Sequence, residues 1–395
     1  GRLEDSSSVN LDSTIERTLA YHQRTKHHLH RYARSLGYLD WATQPDPFRT
    51  YAGATRIEFD LLADRVTSSY GDLFHPGVIP PQPITVETIG ILFELSLGLS
   101  AWKQYQGSRW ALRCNPSSGN LHPTEGYLIV LEVPRLAGGV YHYVSRDQCL
   151  ERRCLLSRVP NDRLTAGLSP NRFMVGLSSI HWREAWKYGE RAFRYCQHDA
   201  GHAIATIRFA AAALGWSARL LDAPGDADVM ALLGLDRNAD FADVAAADRE
   251  HPDVFLLVSN RHTLARPASE GDLSPQTITV RHNDTHTLLA RRASEGDSGN
   301  APSSFPAILA LGSATHDTWQ GRANPLSPDH VDWPIIDEVS KATWKPETEP
   351  METFQPAELP PLIPSSQVAA ATLIRQRRSC LALDGKTSIS AETFY

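Results

Sequence analysis

The pattern of apolar and polar positions divides the chain into a strongly patterned middle and weakly patterned ends. Residues 1–13 are polar and Ser-rich and predict a frayed tail. From Thr14 to Arg34 the sparse apolar positions are spaced as in a helix, with His22, His27, His28 and His30 crowded along it. Pro, Gly and aromatic residues from Gly37 to Pro83 predict an extended arm with little regular structure. The run from Val86 to Tyr105 has helical apolar spacing and the length of a core helix. Strand patterns follow at Tyr127–Val133, at Gly138–Val144, at Arg172–Ile180 and, further on, at Asp253–Ser259. Between the last two, His181–Trp216 reads as one long helix with Gly215 as its stop, and Val229–Leu235 as a short amphipathic helix.

Beyond Asn260 the period fades. Residues 263–272 and 288–297 are near copies in a polar stretch, and residues 260–305 read as an insertion in a tolerant surface loop. Arg291, Arg292, Ala293 and Ser294 within it match a basic-directed phosphorylation site. An apolar run lies at 305–313. Pro spacing over 320–366 predicts an extended, semi-rigid linker, and helical pattern resumes at about Gln367. The expected organisation is therefore a tail over 1–13, a first domain over 14–320, a Pro-rich linker over 321–366 and the start of a second domain over 367–395.

Composition narrows the function classes. The chain has 395 residues, with 39 Lys and Arg against 45 Asp and Glu, a net charge of −6 that argues against a general nucleic-acid binder. Hydrophobic residues at 42% and charged residues at 21% describe a globular protein. Five cysteines, at 114, 149, 154, 196 and 380, include no CxxC pair, so neither a disulfide framework nor a structural zinc site is expected. That cysteine usage fits a reducing compartment, the cytoplasm. No apolar stretch is long enough to span a bilayer, and no secretory pattern opens the chain, whose first residue, Gly1, suggests a fragment. The histidine cluster lacks third and fourth ligands at metal-site spacing, so no metal is expected. The sequence has no GxGxxG after a strand, no GxxxxGK[ST], no HExxH and no GxSxG. A Rossmann dehydrogenase, an NTPase, a zinc protease and an α/β-hydrolase all lose their signatures.

The densest chemistry lies in the loop Pro116-Ser117-Ser118-Gly119-Asn120-Leu121-His122-Pro123. Small hydroxyls, an amide and an imidazole converge there on a backbone shaped by Pro and Gly. An amide both donates and accepts, which suits a ligand edge with alternating donors and acceptors. The alternative is a plain turn whose Ser and Asn bond their own backbone.

This loop resembles the PSxxNxQP loop of the FMN-dependent nitroreductase superfamily. The wider text is similar to its SagB and thiazoline-oxidase branch. Arg113, Pro116, Ser117, Ser118, Gly119, His122, Pro123, Glu125 and Tyr127 carry the likeness, then Gly139-Val140-Tyr141-His142-Tyr143. Lys187, Tyr188, Gly189, Arg191, Arg194 and Tyr195 continue it, followed by Gly201 and His202. Order and spacing agree across about residues 85–260. The resemblance implies an α+β fold, a mixed or antiparallel sheet flanked by helices, here with extended Pro-rich arms. It implies bound FMN and hydride transfer through flavin N5, with the protein supplying position and electrostatics.

In azoline-oxidising relatives an adjacent Lys-Tyr pair transfers protons, and Lys187 and Tyr188 match that pair. The cofactor-binding candidates in the loop are Arg113, Pro116, Ser117, Ser118 and Asn120. Nitroreductases bind the flavin phosphate with an Arg-Arg-Ser-x-Arg run on their first helix. Arg375, Arg377 and Ser379 fall in one comparable segment, with Leu381 where the last Arg is expected, and Arg24, Thr25 and Lys26 in another. Two such segments imply a fused pseudo-dimer whose second copy is cut short, or a homodimer. Substrates would be a small molecule or peptide, either an azoline-type compound that is dehydrogenated or a nitro or quinone compound reduced with NAD(P)H. Ala205 and Thr206 stand where relatives often carry Gln-Asn. That departure motivates the alternative, a flavin-free scaffold or partner subunit of a modification complex.

Overall fold

The computed structural model describes residues 6–131, 133–156, 168, 170–260, 319–348, 366–380 and 382–390. The duplicated segments, the matched site at Ser294, the apolar run at 305–313 and linker residues 349–365 lie outside them.

Helix α1 (Ser6–Thr25) begins inside the stretch expected to be frayed and ends before His27, so the histidine cluster straddles its end. The arm that follows holds three 3-10 turns and two short strands, β1 (Tyr51–Ala52) and β2 (Thr55–Glu58). Helix α2 (Val86–Ser96) is started by a capping box in which Thr85 and Thr88 bond each other's backbone N–H groups. The single helix expected from Val86 to Tyr105 is not formed. The chain turns at Gly98 into β3 (Leu99–Tyr105), which pairs with β4 (Ser108–Arg113). Gln106 and Gly107 both take positive φ, 45° and 82°, the two-residue turn whose twist suits a hairpin.

Strands β5 (Thr124–Val130), β6 (Gly139–Val144), β7 (Cys149–Leu155), β8 (Arg172–Ser179), β9 (Ser217–Leu221) and β10 (His251–Ser259) follow in the middle of the chain, with β2 at one edge of their sheet. They form one seven-stranded sheet in the order β2-β7-β6-β5-β8-β10-β9, every pairing antiparallel. Strand β11 (Arg322–Ala323) pairs with β1 in a separate two-stranded ribbon. The fold class is α+β, a seven-stranded antiparallel sheet flanked by helices.

Side chains alternate across this sheet. Leu128 and Val130 of β5, Phe173, Val175 and Leu177 of β8, and Leu256 and Val258 of β10 enter one core with α2 and with α4 (Ala192–Ala213). The opposite face carries Tyr127, Ile129, Met174 and Phe255, packed against α5 (Asp226–Leu233). A Cβ at Gly176 would stand 2.7 Å from the Leu233 side chain, so glycine there lets α5 sit down on the sheet.

That second face changes character along its length. Towards the start of β5 and β10 it carries buried charge. The Glu250 carboxylate accepts bonds from Tyr127 Oη (2.6 Å), Ser178 Oγ (2.6 Å) and Tyr51 Oη (2.8 Å). Arg49 Nε stands 3.3 Å from it. Glu125 accepts from Arg183 and lies 3.0 Å from His142 Nε2, whose Nδ1 is 3.5 Å from Glu151. Arg153 stacks 3.7 Å from the centre of the Tyr51 ring and bonds Asp240 at 2.6 Å. Much of the matched text, Glu125, Tyr127 and His142, thus forms a buried lattice of ion pairs that roofs the sheet with the arm.

The helix expected over His181–Trp216 is two helices. Helix α3 (His181–Tyr188) ends at Gly189, whose φ is +54°, and a 3-10 turn leads into α4. A Cβ at Gly189 would lie 2.5 Å from Arg34 O and 2.8 Å from the Trp333 ring, so the arm and the break interlock there. The expected Pro-rich linker contains α6 (Pro334–Ala342), with Pro334 in the first turn, where a missing N–H costs nothing. Helix α7 (Ala370–Gln376) packs on α2 and buries Ala370 and Ala371 in the main core.

Burial alone would keep His142 neutral, but Glu125 and Glu151 on its two sides outweigh it and raise its pKa to about 9. A raised value means the folded state keeps a proton that the unfolded chain releases near the ordinary 6.5. The stabilisation is complete below that value and is lost as pH rises through about 9. His142→Leu should therefore destabilise the fold by about 3–5 kcal/mol below neutrality and much less above pH 9. Urea unfolding of both proteins across that range measures it; an equal loss at all pH values would refute the charged histidine.

Candidate functional site

The loop between β4 and β5 is held in an unusual backbone shape. Gly119, Asn120 and His122 all take positive φ, at 60°, 63° and 52°. Such strain in non-glycine residues persists only where surrounding bonds fix it. Asn120 Nδ2 donates to Ala111 O at 2.9 Å while its Oδ1 meets His122 Nε2 at 3.0 Å. His122 N donates to Ser117 Oγ at 2.8 Å. Burial, with Arg113 and Arg183 nearby, holds the His122 pKa well below its usual range, so the ring is a neutral hydrogen-bonding group. Arg183 Nη1 donates to His122 O at 2.9 Å and ties the loop's end to α3.

The loop rests on α3 and α4. Ser118 N donates to both oxygens of Asp199, at 3.1 and 3.0 Å, and Ser118 Oγ donates to Oδ1 at 3.1 Å. The end of α3 presents Lys187 and Tyr188 directly to Gly119. A Cβ at Gly119 would lie 2.6 Å from Tyr188 Oη and 3.1 Å from Lys187 Nζ. Burial, Glu184 and neighbouring Tyr195 and Asp199 raise the Tyr188 pKa to about 12, so it stays a phenol able to donate. Lys187 Nζ sits 5.4 Å from the centre of the Tyr188 ring.

Across from the loop lies the segment after α7. A groove of about 350 Å³ is walled by Arg113, Pro116, Ser117, Gly119 and Asn120 on one side and by Arg377, Arg378 and Ser379 on the other, with Ser100 and Lys103 of β3 at its edge. Beside it, sharing Pro116 and Arg377, is an apolar cavity of about 530 Å³ lined by Tyr70, Leu95, Phe209, Leu373 and Ile374. Ala205 and Thr206 stand on that cavity's wall with His202.

The structure thus collects at one place Arg113, Pro116, Ser117, Asn120, Arg377 and Ser379, with Ser118, Lys187 and Tyr188 adjoining through Gly119 and Asp199. It sends others elsewhere. Arg375 pairs with Asp64 and lies 3.8 Å from Glu94. Arg24 Nε donates to Glu190 at 2.9 Å. Thr25 is buried, accepting from Arg194 Nη2 at 3.0 Å and donating to Tyr21 O, while Lys26 is exposed. Arg113 already donates to Thr124 O at 3.1 Å and to Pro47 O, and burial lowers its pKa to about 10. Sequence reasoning missed Asp199, Glu184 and Lys103, while Arg378 belongs to the same basic run as Arg377. The only signal for the acids was their spacing, Glu184 one turn before Lys187 and Asp199 just before Gly201-His202.

No protein-family model matches the chain, and no curated protein matches it. Among solved structures it is similar to a "putative nitroreductase" from Anabaena variabilis, with a TM-score of 0.47 and 24% identity over 62% of this chain. The match spans 46% of that protein's length. A second "putative nitroreductase", from Ralstonia eutropha, gives a TM-score of 0.33 and 12% identity over 53% of this chain and 93% of the other. A chain of the E. coli microcin synthetase McbBCD complex with truncated pro-MccB17 bound gives a TM-score of 0.33 and 22% identity, covering 44% of this chain and 62% of that one.

Gly119→Ala tests the contact between loop and helix end. The left-handed backbone alone should cost about 1 kcal/mol, and the new methyl must push the Tyr188 hydroxyl and Lys187 amine aside. Chemical denaturation should show that loss, and labelling of Lys187 by an amine reagent should change. A variant with unaltered stability and labelling would mean that loop and helix end are not in contact.

Proposed function

We propose that this chain is an FMN-dependent oxidoreductase whose flavin site is the groove between the Pro116–His122 loop and Arg377–Ser379. One observation carries the proposal: residues some 260 positions apart in sequence, each matching a flavin-binding motif, face each other across a single groove. The donor set fits the ligand. A phosphate needs positive charge and hydroxyl donors, which Lys103, Arg377, Arg378 and Ser379 offer. A flat aromatic ring system needs an apolar slot, which the adjoining cavity with Tyr70, Phe209 and Leu373 provides.

FMN, when bound, supplies two-electron chemistry by exchange of a hydride. The chain's own residues position it and handle the accompanying proton. Lys187 and Tyr188, held against Gly119, are the proton-transfer pair in this reading, the phenol as donor and the amine as base. Dehydrogenation of an azoline-type group in a small molecule or peptide is the reaction that such a pair suits. Reduction of nitro or quinone compounds by NAD(P)H needs the flavin but not the pair.

A second reading has its own support. Arg113, Asn120 and Arg24 already hold partners within the protein, and Ala205 and Thr206 offer the cavity one hydroxyl between them. These features fit a flavin-free scaffold or partner subunit in a modification complex.

The visible absorbance spectrum of the purified protein, with mass identification of any released cofactor, separates the two. Bound or reconstituted FMN is expected. A colourless protein that fails to take up FMN overturns the oxidoreductase reading. Arg377→Ala should weaken FMN binding roughly tenfold to a hundredfold, the worth of one charge-assisted bond. Lys187→Ala should keep the flavin and lose azoline dehydrogenation, while reduction of quinones persists.

A further inference from the structure

A cleft of about 810 Å³ shares no lining residue with the groove or its adjoining cavity. It lies between the start of α3 (His181, Trp182), the start of β10 (His251) and α6 with the residue before it (Trp333, Asp337). Its size is that of a site for a small organic ligand.

The base of the cleft is flat and fixed. His181 and His251 stack with ring centres 3.9 Å apart and planes 13° from parallel. Phe193 meets the His181 ring edge-on at 5.6 Å, and the His330 ring leans on Trp182 at 5.1 Å. His330 is itself held by Asp248, whose Oδ1 lies 2.9 Å from its Nε2. Burial keeps both stacked imidazoles below their usual pKa range, so the base carries no charge.

The walls hold donors with nothing to bond. Trp182 is 3% exposed and His181 6%. Trp182 Nε1, Trp333 Nε1 and His181 Nδ1 are buried and find no hydrogen-bond partner among the described residues. An indole N–H can only donate, and when buried it normally meets an acceptor. Two such groups on one cleft call for an acceptor atom from a guest.

The mouth is acidic. Asp236, Asp332 and Asp337 are exposed there and enter no ion pair among the described residues. Asp337 is near enough for its charge to bear on His251. Opposing them are Lys341 and Arg249, and the Arg249 guanidinium is already turned to Asn238 Oδ1 (2.7 Å) and Leu235 O (3.1 Å). The balance favours a cation, and the indole rings add their attraction for one.

We propose that this cleft binds a planar heteroaromatic amine, with its ring on the His181–His251 stack, a ring acceptor on the Trp182 indole N–H and its ammonium group towards Asp332 and Asp337. The site stands apart from the flavin groove and does not depend on the flavin reading.

The test uses the full chain without flavin and three probes. Quinolin-3-ylmethanamine has both the ring acceptor and the amine, 2-naphthylmethylamine lacks the acceptor, and 3-methylquinoline lacks the amine. Calorimetry should show the first binding tightest. Loss of the acceptor should weaken binding by about threefold to tenfold, and loss of the amine by about twofold to fivefold. In protein labelled with 15N-tryptophan, the Trp182 indole proton should move downfield with the two quinolines and not with the naphthalene. Trp182→Phe should abolish the preference for quinoline over naphthalene. Asp337→Asn, a surface change, should weaken the two amines and leave 3-methylquinoline unaffected. If Trp182→Phe fails to fold, the probe series and Asp337→Asn still decide. An excess of FMN should displace none of the probes. No binding at millimolar concentration, equal binding of all three probes, an equal effect of Asp337→Asn on the neutral probe, or displacement by FMN overturns the proposal.

Discussion

The structure depends on Glu250. This one carboxylate, at the start of β10, gathers hydroxyls from the arm (Tyr51), from β5 (Tyr127) and from β8 (Ser178), with Arg49 beside it. An isolated charge at that depth would be prohibitively costly, so the carboxylate obliges its partners to stay. The arm contributes no long strand. Its first half is pinned by the ion pairs and hydrogen bonds of Arg49 and Tyr51, and its second half by Phe59, Ala63 and Val66, which enter the main core. The neighbouring set of Glu125, His142, Glu151 and Arg183 extends the same logic toward the loop, because Arg183 bonds both Glu125 and the carbonyl of His122. The position of the candidate site thus follows from the satisfaction of charges that never meet solvent.

Two local conformations then build the site itself. The loop's left-handed residues fold Ser118 down onto Asp199 and bring the bare backbone of Gly119 outward. The helix break at Gly189 stops α3 just after Lys187 and Tyr188, so that both side chains leave a helix end instead of the middle of a longer rod. Had α3 and α4 run on as one helix, the pair would lie on a packed cylinder. The break is fixed by its neighbours, since Arg34 and Trp333 occupy the space that any side chain at 189 would need.

Much of this was legible in the sequence. The strands at Tyr127–Val133, Gly138–Val144, Arg172–Ile180 and Asp253–Ser259 were readable because burial on both faces keeps most of their positions apolar or aromatic. Strand β7 was not, because its inward residues Glu151 and Arg153 are charged, and a pattern reader places charge outside. The hairpin β3–β4 was hidden in a run whose Leu and Trp spacing also suits a helix; only the paired positive φ at Gln106 and Gly107 decides it. Helix α6 hid among prolines, one of which begins it. In the site, the loop and the Lys-Tyr pair stood out by motif, while their contact at Gly119 is seen only in the fold. The acids beneath them did not, because a buried carboxylate without a basic partner leaves no mark in a sequence. The basic run at Arg24–Lys26 was legible as charge, yet its partners, Glu190, Arg191 and Arg194, lie far along the chain.

The groove has two walls of different kinds. One belongs to the sheet and its loop and is fixed by many bonds. The other, Arg377 to Ser379, follows the seven-residue helix α7, which buries Ala370 and Ala371 and is held by backbone bonds to Ser68, Tyr70 and Gly71 and by the pairing of Arg375 with Asp64. A wall that comes from so distant a segment of the chain has a population as well as a position. If it is seated for only a fraction of the time, any ligand that touches both walls binds more weakly by that fraction, and the ligand in turn holds the segment down. Occupancy of the groove and docking of the C-terminal segment are then one equilibrium seen from two sides, and whatever else seats or displaces α7 acts as a dial on the site.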